Sequence, residues 1–131
     1  MATARDVRTI AMRLPGVTAG KHSLDFAVLR GGKPKGFVWA WRERKDPKRA
    51  RVPSSEVLAV RVAGGDEKAA LLAGDPAVFF TEPHYDGYPA VLVRLRAVRR
   101  PALREIVVQA WRCMAGAPLV AAYDATPKRR R

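Results

Sequence analysis

Leu24-Asp-Phe-Ala-Val-Leu-Arg-Gly-Gly-Lys-Pro-Lys-Gly-Phe-Val-Trp-Ala-Trp41 is the stretch on which the fold depends. Two apolar runs, Leu24–Leu29 and Gly36–Trp41, flank a turn at Gly31-Gly32-Lys33-Pro34. Such runs around a glycine pair read as a β-hairpin with a loop of several residues. Side chains alternate along a strand, so Phe37, Trp39 and Trp41 share one face, expected to be the core face.

Working outward, Thr3–Leu14 reads as a helix, with Val7, Ile10, Ala11 and Leu14 on one stripe. Thr3 and Asp6 have the spacing of a capping box, and Pro15-Gly16 stops the helix. On the other side, Arg42–Arg51 is a loop with six Lys/Arg against Glu43 and Asp46. Glu56–Val62 predicts a strand with Leu58, Val60 and Val62 inward and Arg61 outward. Gly64-Gly65 breaks it, and Asp66 caps a short helix through Leu72. Val78-Phe79-Phe80 is a short apolar run, followed by a turn, His84–Pro89, rich in ring-bearing side chains. Ala90–Val98 is the clearest strand: Val91, Val93 and Leu95 point one way, Leu92, Arg94 and Arg96 the other. A last helix carries Leu103, Ile106, Val107, Ala110, Trp111 and Met114 on one stripe. Gly116 and Pro118 end it.

The short connections between strands argue for an α+β two-layer sandwich, an antiparallel sheet with helices packed on one face. A chain of 131 residues fits one domain and buries roughly two thirds of its unfolded surface. The expected division is a single domain over residues 1–124 and a basic disordered tail over 125–131. One cysteine, Cys113, excludes an internal disulfide and a multi-cysteine metal site. No apolar run approaches the ~20 residues that span a bilayer, and the N-terminus lacks the apolar stretch of a secretory signal. A cytoplasmic protein without membrane association is the expectation.

The charge stands out. Lys and Arg number 25 against 12 Asp and Glu, a formal net charge of +13, and the isoelectric point is near 11.1. Such a field attracts phosphate backbones. A GC-rich genome also favours arginine, and the 18 Arg against 7 Lys fit that origin equally.

Several segments, in order, resemble the MmcQ/YjbR family. Leu14-Pro-Gly-Val-Thr18 is similar to its opening motif. Lys68-Ala-Ala-Leu-Leu-Ala73, Asp75-Pro-Ala-Val-Phe-Phe80, Pro83-His-Tyr-Asp-Gly-Tyr88 and Val91-Leu-Val-Arg-Leu95 are similar to its central block. Leu103-Arg-Glu-Ile106 and Ala110-Trp-Arg112 are similar to its closing helix. The resemblance covers roughly Arg5 to Ala121. It implies a two-layer fold of secretion-chaperone-like or double-wing type, and a DNA-binding role. It carries over no catalytic residues.

The residues themselves offer little for catalysis. His84, Tyr85, Asp86 and Tyr88 could do general acid–base chemistry, yet turn geometry explains the same residue types. No nucleophile with a companion base accompanies them. Two histidines, His22 and His84, make no metal set, and neither glycine pair has phosphate-loop spacing. The expectation is therefore no enzyme, no metal and no cofactor. Trp39, Trp41 and Trp111 are expected in the core rather than as stacking platforms. Strict alternation would gather Arg42, Arg61, Arg94 and Arg96 on the sheet face away from the helices. With Arg44, Lys45, Lys48, Arg49 and Arg51 of the loop they form the expected nucleic-acid-binding set, DNA favoured over RNA, with weak sequence preference. The chain is expected to be a monomer or homodimer. The alternatives are a chaperone-like protein-interaction dimer, or a small-molecule enzyme built on the His84–Tyr88 turn.

Overall fold

The computed structural model describes residues 2–43 and 46–126. The strands are β1 (Val17–Ala19), β2 (Phe26–Arg30), β3 (Lys33–Glu43), β4 (Val52–Arg61), β5 (Phe79–Phe80) and β6 (Ala90–Arg94). They form a six-stranded sheet of order β1-β2-β3-β4-β6-β5, antiparallel throughout. The helices are α1 (Ala4–Met12), α2 (Gly65–Gly74), α3 (Arg100–Met114) and α4 (Ala117–Ala125), and side chains from each join a single apolar cluster. This is the α+β architecture the sequence leads one to expect. No helix among the described residues is long and apolar enough to cross a membrane.

The helices are placed by identifiable contacts. Thr3 and Asp6 form the expected capping box: the Thr3 amide donates to Asp6 Oδ2 at 2.9 Å and the Asp6 amide to Thr3 Oγ1 at 3.4 Å. Trp111 of α3 is fully buried, as expected. Its indole N–H donates to the Pro15 carbonyl at 3.0 Å, and its ring meets Tyr123 of α4 edge-on at 5.2 Å. One side chain thus ties α3 to the end of α1 and to α4. Gly16, at φ 72°, makes the turn beside it, where a Cβ would lie 2.6 Å from Leu119 Cδ1.

Several boundaries differ from the sequence reading. The hairpin loop is only Gly31-Gly32, between Arg30 and Lys33. Both glycines have positive φ, 60° and 80°, the backbone that a two-residue turn between right-twisted strands requires. β4 begins at Val52 rather than Glu56, and β6 ends at Arg94 rather than Val98. Pro118 does not stop the helical region but sits in the first turn of α4, where a missing N–H costs nothing. Ala125 closes that helix, while Lys128–Arg131 lie outside the described residues.

The facing of β3 is the larger correction. Phe26 pairs with Val38, but Ala27 pairs with Gly36, so Phe37 is an extra, bulged residue. The bulge lets both Phe37 and Val38 enter the core and shifts the phase of alternation. Beyond it Val38 pairs with Val60 and Ala40 with Leu58, and these in turn pair with Val91 and Val93 of β6. That is the helix-covered face. Trp39 pairs with Ala59 and, with Trp41, belongs to the opposite face, not to the core.

Candidate functional site

On the face away from the helices, Trp39, Ala59, Leu92 and Phe80 make one row across β3, β4, β6 and β5. Ala59, Ala90 and Leu92 are fully buried, although none belongs to the helix-side cluster. The segment between β5 and β6, residues 81–89, folds back over this row. It contains a single 3-10 turn, Pro83–Tyr85, capped by the Glu82 carboxylate, which accepts the His84 amide at 3.0 Å.

Rings interlock under this loop. Trp39 meets Tyr88 at 6.4 Å between centroids, Tyr85 meets Tyr88 at 6.1 Å, and Trp41 meets Phe80 at 6.0 Å, all edge to face. Each indole N–H on this face is satisfied: Trp39 donates to the Tyr85 hydroxyl and Trp41 to Glu82 Oε2, both at 3.1 Å. Burial alone would raise the Glu82 carboxyl, but donors from the His84 amide, the Trp41 indole and the His84 ring hold it below its ordinary value. Burial raises the Tyr85 phenol. Lys68 of α2 reaches across and donates to the carbonyls of both Tyr85 and Tyr88. Burial lowers the pKa of this ammonium, and nearby Asp86 partly offsets the effect. The outcome is an open cleft of about 360 Å³ lined by Trp39, His84, Tyr85 and Tyr88, with Tyr88 43% exposed.

The arginines expected on one open face are dispersed. Arg61 and Arg94 do lie on the face of Trp39, since Arg61 pairs with Ala90 and Arg94 with Val57. Arg61 sits 5.6 Å from the Tyr88 ring centre and Arg94 4.1 Å from that of Phe80. Arg94 also donates to the Pro76 and Ala77 carbonyls at 3.2 and 3.4 Å, so it fastens the β5 edge. Arg96 lies past the end of β6 and pairs with Glu56 at 3.7 Å. Arg42 lies beyond a register irregularity between Ala40 and Arg42 and is exposed. The bare arginine sheet read from strict alternation is therefore corrected: a loop covers that face, and its cations stack on rings or bond carbonyls.

The basic segment between β3 and β4 is where exposed charge gathers. Arg42, Lys48 and Arg49 are exposed, with Arg49 3.7 Å from Asp46. Arg44 and Lys45 lie outside the described residues. Arg51 links this segment to the aromatic loop. Its guanidinium donates to the Arg42 carbonyl at 3.0 Å and lies 3.3 Å from His84 Nδ1, which is also 3.2 Å from Glu82 Oε1. The role of the loop residues was only half legible in the sequence. Their composition marked a turn with rings, but the partners Trp39, Arg51 and Lys68 come from distant positions.

No protein-family model matches the chain. Three curated proteins do, each 40% identical over 129 residues, covering 94% of this chain and 96% of their own. They are the uncharacterized proteins Rv2570 and MT2646 of two Mycobacterium tuberculosis strains and Mb2600 of Mycobacterium bovis. The chain belongs to their family. This Rv2570-family protein also shares its fold with a solved structure, the Deinococcus radiodurans protein DR2400, which carries a DUF419 domain. The TM-score is 0.64 over 98% of this chain and 84% of that one, at 16% identity. DUF419 is the YjbR/MmcQ-like family, and at this identity the likeness shows a shared fold.

Proposed function

We propose that this domain is a nucleic-acid-binding module of the MmcQ/YjbR type, non-catalytic, DNA-preferring, and weakly selective for sequence. The observation that carries the reading is the Arg51–His84 contact at 3.3 Å. It joins the cation-rich β3–β4 segment to the rim of the aromatic cleft, so phosphate-binding groups and exposed rings form one surface. Arg42, Lys48, Arg49 and Arg51 take the phosphates, assisted by Arg61 at the far side of Tyr88. Arginine's planar fork suits phosphate, and such contacts give affinity without sequence information. Arg94 is held by the Pro76 and Ala77 carbonyls and the Phe80 ring, and Arg96 lies outside the β3–β4 segment, so the two contribute less. His84 and Glu82 serve each other and the 3-10 turn, which supports a binding rather than a catalytic role.

Anisotropy titration of labelled random duplexes tests this. Replacing Arg42, Lys48 and Arg49 together by Gln should weaken binding more than replacing Arg94 and Arg96, and deletion of Lys128–Arg131 should weaken it modestly. Binding that survives the triple replacement but vanishes with the tail would overturn the reading.

A further inference from the structure

We infer that the Trp39–His84–Tyr85–Tyr88 cleft is a stacking site for an unpaired nucleobase, so that the domain grips a single strand more tightly than a duplex. The inference rests on the nucleic-acid reading above and specifies its substrate. Four features lead to it.

The cleft is built from planar side chains and is open to solvent. Tyr88, more exposed than Trp39 and Tyr85, is held through its neighbours, edge-on to both. None of these rings is stacked face to face on another, and Arg61 lies over one face of Tyr88, so a planar group would stack on the other. The site is also preorganised. Lys68 fixes the backbone on both sides of the turn through the Tyr85 and Tyr88 carbonyls, and Tyr85 Oη holds the Trp39 indole. A strand entering it loses little to loop ordering. Cations flank the cleft at two sides, Arg61 over Tyr88 and Arg51 beside His84. Glu82 is engaged inward, accepting from Trp41 and His84, while exposed Asp86 interacts electrostatically with Lys68. Rings between cations are what a single strand needs, because bases stack while phosphates follow the charge. A duplex keeps its bases stacked on each other and offers the cleft nothing.

A free nucleotide presents the same chemistry, so the test separates it from a strand. Labelled dT15, its duplex with dA15, and competing dTMP are titrated against the full chain, Tyr88→Ala, Tyr88→Phe, and the Arg42/Lys48/Arg49→Gln variant. The wild type should bind dT15 more tightly than the duplex, and dT15 should quench tryptophan emission through Trp39. Tyr88→Ala should weaken dT15 binding by about 5- to 150-fold, the loss of one base stack, while dT15 binding by Tyr88→Phe and the duplex affinities of both Tyr88 variants stay near wild type. If Tyr88→Ala keeps its dT15 affinity and no quenching occurs, while the charge variant is weakened, the stacking inference falls and the nucleic-acid reading stands. If dTMP displaces dT15 at comparable concentration, the occupant is a nucleotide and not a strand. If the wild type binds neither oligonucleotide, both readings fall.

Discussion

Replacing Trp111 by Ala removes a ring that is fully buried. Deleting a buried aromatic costs about 3–5 kcal/mol from lost transfer energy and the cavity left behind. The Pro15 carbonyl also loses its donor, about 1 kcal/mol net, and the edge-on contact with Tyr123 disappears. The total comes to roughly 4–6 kcal/mol, a large share of the ~5–15 kcal/mol that holds a domain together. With a urea dependence of about 2 kcal/mol per molar, the unfolding midpoint should fall by roughly 2–3 M. Trp111→Phe keeps most of the ring but not the hydrogen bond, so it should fall between wild type and Ala. Equilibrium urea unfolding followed by far-UV circular dichroism measures all three. A midpoint for Trp111→Ala within experimental error of wild type would refute the claim that one side chain fastens α3 to the α1 turn and α4.

Lys68→Met keeps the aliphatic stem but abandons the Tyr85 and Tyr88 carbonyls, so the 81–89 loop should loosen at a cost of about 1.5–3 kcal/mol; faster amide exchange confined to that loop is the expected readout. Glu82 gives a pH test with a definite sign. Its folded carboxyl is held below the ordinary 4.5, so it stabilises the fold above that pH and the benefit disappears as pH falls through the lower folded value. The melting temperature of Glu82→Gln should therefore lie below wild type at pH 7, and the gap should narrow as pH falls below 4.5. A gap that widens on acidification would contradict the assignment.

Much of the fold was legible because the signals were local. The Thr3–Asp6 box, the α3 stripe and the inward set Leu58, Val60, Val91 and Val93 need only neighbours in sequence to be read. What escaped depended on pairing. Nothing in Gly36–Trp41 shows that Phe37 is a bulge; that follows from how Phe26 and Ala27 pair across the ladder. One extra residue moved Trp39 and Trp41 from the expected core to the opposite face, because a strand's side-chain period is two. The arginine face failed for a related reason. Alternation co-located Arg61 and Arg94 but could not show that they would lie over the Tyr88 and Phe80 rings or that β6 stops before Arg96. Pro118 misled because proline both ends one helix and begins the next.

The salt dependence of duplex affinity, measured for the wild type and the Arg42/Lys48/Arg49→Gln variant, tests the central claim most directly. Each phosphate contact adds about 0.9 to the slope of log affinity against log salt. If all three side chains meet phosphates, the variant's slope should be shallower by about 2.7 and its loss of affinity should be uniform across random sequences. Equal slopes for the two proteins would contradict the account and remove the β3–β4 segment from the binding surface.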